Sequence, residues 1–492
     1  MTSPTPPIEL NGTADRFEGR SAPVPDGFVE ALAGICDTVT DVTATADASR
    51  DWWPLALHWA LAGFVPRRAA VLVHPTTTDV VCRILTTCND ARVPVTAAAG
   101  RSGVCGASVP VHGGVLLDLT GLDQIGEVDE ISGVVETQAG VFGPDLERLL
   151  NTRHGLTVGH FPQSFELATI GGWVACRGAG QYSTRYGKIE DMVVGLEVVL
   201  ADGRVIHTGG APAAAVGPDL NQVFVGSEGT LGVITRVWLR AHPVADAQRR
   251  AAYRLPDLAT AFETVRRIIR SGATPAVLRL YDGVESARGH GGDGTNCTLL
   301  VLDEGDELMV AATIQMVDNV AGSLGVRADD QLVANWLEHR NDTSALQALS
   351  RKGLVVDTME IAAPWSKLDD VYAAATGAIM GVPHARVASC HLSHSYLDGA
   401  CLYFTFAAQP PADEIESTYI AMWNAGQRAV LESGGNLSHH HGVGLNRARF
   451  VAAALGPAHD VLIGIKQSLD PNGILNPGKL GFPSPFGPPS WP

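Results

Sequence analysis

The chain has 492 residues, 46% hydrophobic and 18% charged, so at about 100 to 200 residues per domain it is long enough for several domains with buried cores. Its formal net charge of -17 gives an acidic surface, which excludes nucleic acid and anionic membranes as general partners. The eight cysteines include no C-x-x-C pair, and there is neither a signal peptide nor an apolar run of about 18 residues. We therefore expect reduced thiols, no integral membrane segment and a cytoplasmic location.

The start of the chain, residues 1–65, is predicted to form a Pro-rich tail and a small helical element. Apolar residues at helical spacing place that helix around Val29 to Ile35. The glycine-rich loop 97–106 lies inside a predicted β-α-β unit, after its second strand, and offers a run of backbone N–H donors. The elements of this unit are a strand at 69–73, a helix at 76–90, and strands at 93–96 and 115–119.

Residues 66–244 are predicted to form one domain and residues 245–415 a second, α+β domain, followed by a C-terminal segment, 416–492, with a flexible tail. The dipeptide Asp202-Gly203 predicts a hairpin in the first domain. Further elements of the first domain are strands at 134–141, 191–200, 204–207 and 233–239, and a helix at 145–152. Elements predicted after it are helices at 258–271 and 461–469 and strands at 298–302 and 401–406.

By itself the loop 97–106 is either a cradle for a diphosphate or a tight turn between strands. Three further segments favour the cradle: G-H-F-P-Q-S-F-E-L-A-T-I-G-G-W-V-A at 159–175, F-V-G-S-E-G-T-L-G-V-I-T at 224–235 and D-P-N-G-I-L-N-P-G-K at 470–479. The first two are glycine turns that open onto small or β-branched residues, which lets a flat cofactor approach the backbone closely.

In this ordered set of segments the chain, over about residues 50 to 480, resembles the vanillyl-alcohol oxidase family of FAD-binding proteins, also called the PCMH type. The resemblance implies FAD as cofactor and an α+β fold: a two-subdomain FAD-binding PCMH-type domain, an α+β substrate or cap domain, and a C-terminal segment that returns to the flavin. It also implies a set of cofactor-binding residues. These are Gly100, Arg101, Ser102 and Gly103 at the diphosphate, Thr169, Gly171 and Gly172 near the flavin, Glu228, Gly229 and Gly232 beside the nucleotide, and Lys479 by the ring.

Within that family the chain resembles the alkyldihydroxyacetonephosphate synthases, through the 159–175 segment, Y-G-K-I-E-D at 186–191 and S-H-H-H-G-V-G at 438–444. The resemblance implies a reaction with no net redox change, in which the fatty acyl group of a phosphorylated ketone is exchanged for a fatty alcohol through a flavin adduct or proton transfer. It implies a catalytic set made of His439, His440, His441, Tyr403 and Arg279.

The three consecutive histidines leave catalysis, metal binding and a structural role open. In an extended chain His439 and His441 point one way and His440 the other, and in a helix they fan out in steps of about 100°. At most two of them therefore reach one small ligand. We predict no metal site, because consecutive residues on one regular element chelate poorly and no cysteine or acidic pair stands nearby to complete a ligand set.

Tyr403 and Arg279 each have a structural alternative. Tyr403 matches the tyrosine that the synthases use in proton transfer, but it is also an aromatic residue on a strand. Alternation turns it away from Leu402 and Phe404, so it can face a cleft while they pack in the core. Arg279 matches an arginine near the synthase substrate pocket, and an arginine inside an apolar run rarely lacks a partner. We predict functional roles for both.

Two positions depart from the synthase pattern. A substrate-contacting arginine aligns with Leu346, where Arg351 is the nearest substitute, and an arginine is also expected where His391 stands. Together with His394, His391 makes the pocket richer in neutral proton carriers and poorer in fixed charge. Because a lost charge-assisted hydrogen bond weakens phosphate binding by about 1.5 to 3 kcal/mol, we expect an uncharged or carboxylate substrate in place of dihydroxyacetone phosphate.

The leading hypothesis is an FAD-dependent enzyme of the synthase type that acts on a carbonyl or hydroxy substrate. The alternative is an FAD-dependent oxidoreductase, in which a histidine removes the hydroxyl proton of a 2-hydroxy acid or related alcohol while hydride passes to the flavin. A flavin-binding protein without catalysis would leave the polar pocket residues without a purpose. We expect a small-molecule substrate and, by similarity alone, a homodimer.

Overall fold

A computed structural model describes residues 8–19, 21–342, 344–489 and 491 of the chain. Helices pack against sheets of four, five and seven strands in this part of the chain, which confirms the predicted α+β class. No helix within these residues is both long and apolar enough to cross a bilayer. The first seven residues of the predicted N-terminal tail lie outside the described part.

Short elements precede the first large sheet. The helix expected around Val29 to Ile35 is confirmed at Phe28–Ala33. The two-residue strands Ala14–Asp15 and Phe64–Val65 pair in parallel. Two more helices, Val42–Ala48 and Pro54–Leu61, lie between them, and the proline begins its helix where a missing N–H removes no helical hydrogen bond.

The predicted β-α-β unit forms the four-stranded sheet. Its helix, Thr78–Ala91, begins after Thr77, whose Oγ1 accepts a hydrogen bond from Val80 N at 3.3 Å. The strand order is Asp37–Val39, Val71–His74, Val115–Asp118 and Val95–Ala98, with the last three parallel. The loop 97–106 therefore leaves the sheet at the carboxyl edge of parallel strands, where ligands bind in many α/β sheets.

The second large sheet has five antiparallel strands. Its order is Val205–Gly209, Val193–Val199, Val233–Arg240, Val134–Gln138 and Ile125–Asp129. The Asp202-Gly203 hairpin is confirmed, with Asp202 Oδ1 accepting from Arg204 N at 3.1 Å and Gly203 at a φ of 83°. The predicted strands at 134–141 and 191–200 are both shorter, and the second begins late because Ile189–Met192 is a helix.

Helices and turns connect these strands. The helix expected at 145–152 is Gly143–Leu149, and it continues as one π-helical turn. The other elements are the π-helical turn Leu150–His154, the helices Ile170–Cys176, Ser183–Tyr186 and Asn221–Phe224, the 3-10 turn Leu119–Gly121, and the paired strands Leu156–Thr157 and His242–Pro243.

The third sheet has seven antiparallel strands and a large core. Leu402, Phe404 and Phe406 on one face of the Gly399–Ala408 strand are fully buried. The strand order is Val326–Ala328, Ala247–Leu255, Cys297–Gly305, Val277–Tyr281, Ala385–Ser395, Gly399–Ala408 and Val355–Pro364. Its helices are Leu258–Arg270, Gly283–Gly289, Glu307–Leu324, Gln331–His339, Ser344–Arg351, Leu368–Met380 and Ile415–Ser433, with 3-10 turns at Trp365–Lys367 and Ala412–Glu414.

The C-terminal segment runs back to the four-stranded sheet. The turn Ala448–Phe450 and the helices Val451–Leu455 and Ala458–Leu469 lead to Leu475, which bridges Val95. This return brings the residues after the last helix close to the glycine loop. The predicted domain limits at 65, 244 and 415 stay predictions.

Candidate active site

A cavity of about 970 Å³ lies between the glycine-rich loops and the seven-stranded sheet. The loop wall consists of residues from the ranges 97–108, 160–181 and 228–234. The sheet wall consists of side chains from the seven-stranded sheet and its helices, together with His440 and His441. The volume is at the upper end of the range for ligand sites, so a cofactor and a substrate can share the cavity.

The glycine loop lines the loop wall with its backbone. Among the described residues, no group accepts a hydrogen bond from an amide N–H between Gly100 and Gly103. Such a run of free N–H groups is suited to phosphate oxygens. The Arg101 guanidinium is directed to Asp118, with Nη1 3.4 Å from Oδ2. The structure thus brings Gly100, Arg101, Ser102 and Gly103 to the wall and offers their backbone, rather than the arginine charge, to a ligand.

Two of these glycines have different surroundings. A Cβ atom on Gly100 would lie 2.2 Å from Leu167 O, so close packing of two backbones requires glycine there. A Cβ atom on Gly103 would have Asp51 Oδ2, 3.8 Å away, as its nearest neighbour. The space beside Gly103 is therefore open to a ligand.

The turn before the Ile170–Cys176 helix continues the loop wall. Thr169 Oγ1 caps this helix by accepting from Gly172 N at 3.3 Å. A Cβ atom on Gly171 would lie 2.5 Å from Ala139 Cβ, so protein packing also requires this glycine. Thr169, Gly171 and Gly172 all lie on the cavity wall.

His160 is a residue of this wall that the sequence analysis did not single out. Its ring is fully buried, and neither ring nitrogen has a hydrogen-bond partner in the described part of the chain. Burial, with a smaller effect of Lys188, lowers the pKa of His160 to about 3, so the ring stays neutral. A buried polar group without a protein partner is one that a water molecule or a ligand can complete.

Glu228 connects the loop wall to the histidine loop, residues 438–444. Its backbone has a φ of 50°, and its carboxylate accepts hydrogen bonds from Val443 N at 2.6 Å and Gly444 N at 2.9 Å. Burial raises the pKa of Glu228, although these N–H groups oppose the rise. Gly229 and Gly232 lie on the wall beside it.

Lys479 is the predicted cofactor residue that the structure does not place on the cavity wall. It is fully buried, and its Nζ donates to Val109 O at 2.6 Å and to Asn476 Oδ1 at 3.5 Å. Burial lowers the pKa of Lys479 to about 7, while Glu228 and Asp51 act in the opposite direction. Lys479 is linked to the Glu228 backbone through Asn476, whose Nδ2 donates to Glu228 O at 2.7 Å, and its role beside the cofactor stays a prediction.

The loop wall fits the chemistry of FAD. Its free N–H groups suit a diphosphate, the open space at Gly103 admits a ligand, and His160 offers a hydrogen bond deep in the wall. No group in the described part of the chain forms a hydrogen bond with these N–H groups or with the His160 ring.

Behind the sheet wall, the fully buried Glu360 holds the histidine loop in place. It forms a fully buried ion pair with Arg447. Burial alone would raise the pKa of Glu360, but Arg447 and His441 hold it well below its usual value. Sequence reasoning missed Glu360, although an acidic residue within an apolar strand is a signal for it. The loop donors to Oε1 of Glu360 are the N–H groups of His439 at 3.2 Å, His440 at 3.1 Å and His441 at 2.8 Å, and Oγ of Ser438 at 2.7 Å.

Two of the three histidines reach the cavity. His440 and His441 lie on its wall, whereas His439 is directed away and its Nε2 is 2.5 Å from the hydroxyl of Tyr396. The chain bends at these residues, so neither the extended nor the helical spacing considered from the sequence applies. The pair that faces one ligand is therefore adjacent in sequence, and it is not the alternate pair that an extended chain would give.

Hydrogen bonds determine which nitrogen of each ring carries the proton. Burial raises the pKa of Tyr396, and its hydroxyl has no other acceptor among the described residues, so it donates to His439 Nε2. His439 then donates from Nδ1 to Nδ1 of His440 at 2.8 Å, and His440 presents Nε2–H to the cavity. His441 Nδ1 lies 3.0 Å from Glu360 Oε2, an electrostatic contact that favours the proton on Nδ1 and leaves Nε2 free to accept one.

Burial also determines the charge of these rings. It lowers the pKa of His439 to about 3 and holds the pKa of His440 well below its usual value, with further lowering from His441 on the second ring. Both imidazoles are neutral at neutral pH. The cavity therefore faces a neutral donor at His440.

Tyr403 lies on the same wall, opposite Glu360 in the strand register. Its hydroxyl donates to Thr358 Oγ1 at 3.1 Å, and its ring centroid is 4.7 Å from that of His391 and 5.4 Å from that of His441. Burial raises the pKa of Tyr403, so the phenol keeps its proton. Tyr403 is thus a hydrogen-bond donor beside the histidines.

Arg279 is held by neutral groups. Its Nη2 donates to His391 Nε2 at 2.6 Å and its Nε to the Tyr281 hydroxyl at 3.1 Å. Since a guanidinium only donates, His391 carries its proton on Nδ1, 2.9 Å from Glu285 Oε2. Burial and Arg279 lower the pKa of His391, against the effect of Glu285. Arg279 has no carboxylate partner in the described part of the chain, so its charge is available to an anionic ligand.

His394 joins the histidine loop from the Ala385–Ser395 strand. Its ligand nitrogen and those of His439 and His440 lie within 4.8 Å of one another, a spacing that a metal ion could use. The prediction of no metal site considered only neighbours in sequence and overlooked this residue. His394 Nδ1 is 2.6 Å from Ser183 Oγ and both nitrogens of His439 are bonded, so the group also works as a hydrogen-bond network.

The two departures from the synthase pattern also lie at the site. Leu346 is on the sheet wall, whereas Arg351 is not among the residues that line the cavity. His391 is on the wall, between Arg279 and Glu285. A cation that the sequence analysis did not consider, Arg340, lies on the wall as well.

Two family models match the chain. One described as "FAD linked oxidases, C-terminal domain" matches residues 245–480, and one described as "FAD binding domain" matches residues 69–209. Together they include most residues of both cavity walls, but not Trp52, Pro54 or the wall residues of the range 228–234.

Several curated proteins are similar over most of their length. An uncharacterized FAD-linked oxidoreductase, YgcU, from Escherichia coli strain K12 is 33% identical over 432 residues, 84% of this chain and 88% of that protein. The glycolate oxidase subunit GlcD of Bacillus subtilis is 30% identical over 429 residues, 83% of this chain and 88% of that protein. The alkyldihydroxyacetonephosphate synthase of Dictyostelium discoideum is 28% identical over 460 residues, 85% of this chain and 74% of that protein.

Solved structures share the fold. A crystal structure of alkyldihydroxyacetonephosphate synthase superposes with a TM-score of 0.76 at 23% identity, covering 96% of this chain and 89% of that one. p-Cresol methylhydroxylase with substrate bound superposes with a TM-score of 0.74 at 18% identity, covering 94% of this chain and 98% of that one.

Proposed function

The chain belongs to the FAD-linked oxidoreductase family, with FAD as its cofactor, and from that premise we propose that it oxidises a 2-hydroxy acid to the 2-oxo acid. The observation that carries the proposal is the group of His441, His440 and Arg279 on one cavity wall, facing the loops that suit FAD. It combines a proton acceptor, a donor and a cation without a carboxylate partner. These are the groups that a hydroxyl next to a carboxylate requires.

Bound FAD supplies the acceptor for the two electrons and the hydrogen that leave the carbinol carbon. The proposed cofactor residues are those of the loop wall, Gly100 to Gly103, Thr169, Gly171, Gly172, Glu228, Gly229 and Gly232, with Lys479 as support behind them. The closed packing at Gly100 and Gly171 fixes the wall, and the open space at Gly103 leaves room for the ligand.

His441 acts as the general base in this proposal. Its Nε2 takes the hydroxyl proton of the substrate, and the positive charge that forms on the ring lies 3.0 Å from Glu360 Oε2. Glu360 is a positioning residue, because it fixes the protonated nitrogen and accepts hydrogen bonds from the N–H groups of His440 and His441.

His440 acts as a donor to the substrate oxygen, and Tyr403 joins it when its hydroxyl turns from Thr358 Oγ1 to the ligand. His440 presents Nε2–H because the Tyr396–His439 chain fixes its other nitrogen as an acceptor. Tyr403 keeps its proton in the buried site. As the hydroxyl loses its proton, donors in a water-poor cavity stabilise the negative charge on oxygen.

Arg279 binds the substrate carboxylate. A guanidinium pairs with a carboxylate through two parallel N–H groups, and this fixes the orientation of the neighbouring carbinol carbon. His391 and Tyr281 hold the arginine without neutralising it. A carboxylate at this position fits the replacement of the expected phosphate-binding arginine by Leu346.

A second candidate is the acyl-for-alcohol exchange of the synthases. Tyr403, protonated and within ring contact of both His391 and His441, is placed to protonate a leaving carboxylate, which an alcohol oxidation does not need. The S-H-H-H-G-V-G motif and the similarity to the Dictyostelium synthase support this candidate.

The two functions are separated by anaerobic spectroscopy of the FAD-loaded protein. A 2-hydroxy acid should bleach the visible flavin absorbance, and an electron acceptor should restore it. Bleaching only by an acyl-dihydroxyacetone phosphate, with ether formed on adding an alcohol and no acceptor needed, would favour the exchange reaction. His339→Gln, a change at an exposed histidine outside the cavity, is a matched control for His441→Gln.

Three finer statements are part of the proposal. The domains divide at residues 65, 244 and 415, the protein forms a homodimer, and it is located in the cytoplasm. The breaks between the sheets support the domain division.

A further inference from the structure

Arg340 is a second cation on the sheet wall, and the mechanism above does not use it. It follows the Gln331–His339 helix as the C-cap residue. Its Cζ lies 5.1 Å from the ring centroid of Tyr182, 5.7 Å from that of Trp336 and 5.9 Å from that of Phe161. These rings hold the guanidinium in place but leave its charge in full.

One nitrogen of Arg340 lacks an acceptor. Its Nη1 is buried and has no hydrogen-bond partner in the described part of the chain, and Arg340 forms no ion pair there. Native proteins satisfy nearly all buried donors of this kind. Because Arg340 lies on the cavity wall, a ligand in the cavity can supply the missing acceptor.

The neighbouring carboxylates do not supply that acceptor. Asp342 Oδ1 accepts from Ser344 N at 2.8 Å. Glu285 is engaged by His391, with Oε2 2.9 Å from Nδ1, and by Arg288. In the described part of the chain, Arg279 and Arg340 are therefore cavity arginines without a carboxylate partner. Each of them can bind an anionic group of a ligand.

Arg279 and Arg340 mark two different points of the cavity. Trp336 contacts both, with its ring centroid 5.4 Å from Arg279 Cζ and 5.7 Å from Arg340 Cζ. Beyond this shared residue, Arg279 contacts His391, which stacks on Tyr403 at the reacting end. Arg340 contacts the rings of Phe161 and Tyr182 instead, so the two guanidiniums have different neighbours beyond Trp336.

We propose that the substrate carries two anionic groups, one bound by Arg279 beside the reacting carbon and the other bound by Arg340 at the remote end. The second group is a carboxylate or a phosphate. The inference deepens the proposed function and rests on it only for the position of the reacting carbon. It gives Arg340 the role of a specificity-determining residue on the wall where Leu346 replaces the expected arginine.

The test is calorimetric titration of the FAD-loaded protein with three unreactive probes of similar length: glutarate, 4-phosphonobutyrate and valerate. The two dianions should bind at least about tenfold more tightly than valerate, as expected for one added charge-assisted hydrogen bond. Arg340→Gln should abolish this preference and leave valerate binding unchanged, and Arg340→Lys should keep part of it. Arg270→Gln, at an exposed arginine on another helix, is the matched control and should behave as wild type.

The outcomes separate the hypotheses. The dianion that binds more tightly identifies the remote group as carboxylate or phosphate. Equal binding of all three probes, or a dianion preference that persists in Arg340→Gln, overturns the inference. If Arg340→Gln does not fold, Arg340→Lys decides the question. A weaker preference for dianions in this variant supports the inference, and an unchanged preference overturns it. The dianion preference can depend on Arg340 even if no 2-hydroxy acid bleaches the flavin. That result would support the two-anion site and refute the proposed oxidation.

Discussion

Glu360→Gln is the substitution that tests the arrangement of the histidine loop most fully. The amide oxygen can take the place of Oε1 and still accept from the loop N–H groups and Ser438. The amide nitrogen then takes the place of Oε2, which faces the Arg447 guanidinium and His441 Nδ1. The change therefore leaves the loop bonds in place and removes the two electrostatic contacts.

Both consequences have expected magnitudes. Arg447 is fully buried, and a buried charge that loses its partner costs about 3 to 5 kcal/mol of the free energy of unfolding. An amide N–H against His441 Nδ1 favours the proton on Nε2, which removes the proposed base and lowers the rate of flavin reduction by about 10² to 10⁴. The pKa of Glu360 is well below its usual value, so its stabilising effect is complete above about pH 4.5 and is lost only as the pH falls below that value.

The assays are urea unfolding followed by tryptophan fluorescence and anaerobic stopped-flow reduction of the bound flavin. The double variant Glu360→Gln, Arg447→Gln should regain part of the stability, because no unpaired charge remains, but none of the rate. Glu307→Gln breaks an exposed ion pair with Arg249 and should cost no more than about 1 kcal/mol. A Glu360→Gln protein that reduces its flavin within about twofold of the wild-type rate would refute the reasoning on His441.

Three further predictions concern the loop wall and the hydrogen-bond chain. Gly103→Val should lower the flavin content of the purified protein without lowering the melting temperature of the apoprotein, because the new side chain fills only cavity space. Gly289→Val is the control: a Cβ atom there has no neighbour within 4 Å, so neither quantity should change. Tyr396→Phe removes the hydrogen bond that fixes the His439 tautomer, so the ring can carry its proton on the other nitrogen. The rate of flavin reduction should fall while the substrate KM changes little. Equal effects on the rate and on KM would argue for a packing defect. The pKa of His160 is about 3 in the folded chain, against an ordinary 6.5. Between pH 7 and pH 5 this residue therefore binds a proton in the unfolded chain but stays neutral in the folded chain. The free energy of unfolding should fall by about 2 kcal/mol over this range because of His160. His160→Asn should flatten that part of the pH profile, and an unchanged profile would contradict the assignment.

Local signals in the sequence predicted much of the fold. Thr77 before an apolar helical pattern and Asp202-Gly203 between two apolar runs depend on neighbours in sequence, and both elements are present. The short helix Ile189–Met192 was missed because its residues continue the apolar pattern of the strand that follows. Strand alternation sufficed to turn Tyr403 away from the core that contains Leu402 and Phe404.

The contacts between residues of the site could not be predicted from the sequence. The contacts of Glu360 with the histidine loop, of His394 with His440 and of Arg340 with Phe161 join residues far apart in the chain, and no local periodicity reports them. The bend at residues 438–444 depends on the same long-range acceptor, so the directions of the three rings could not be derived from regular geometry. For Lys479 the motif predicted a position near the site, but the direction of its side chain could not be predicted: the buried amine donates to Val109 O.

The most direct test of the account is the rate at which a 2-hydroxy acid reduces the bound FAD in the absence of oxygen, measured for the wild type and for His441→Gln. We expect reduction by the wild type, a loss of rate of about 10² to 10⁴ in the variant, and partial recovery when free imidazole replaces the missing base. Reduction of the variant at the wild-type rate would contradict the role of His441, and a wild-type flavin that no 2-hydroxy acid reduces would contradict the proposed oxidation itself.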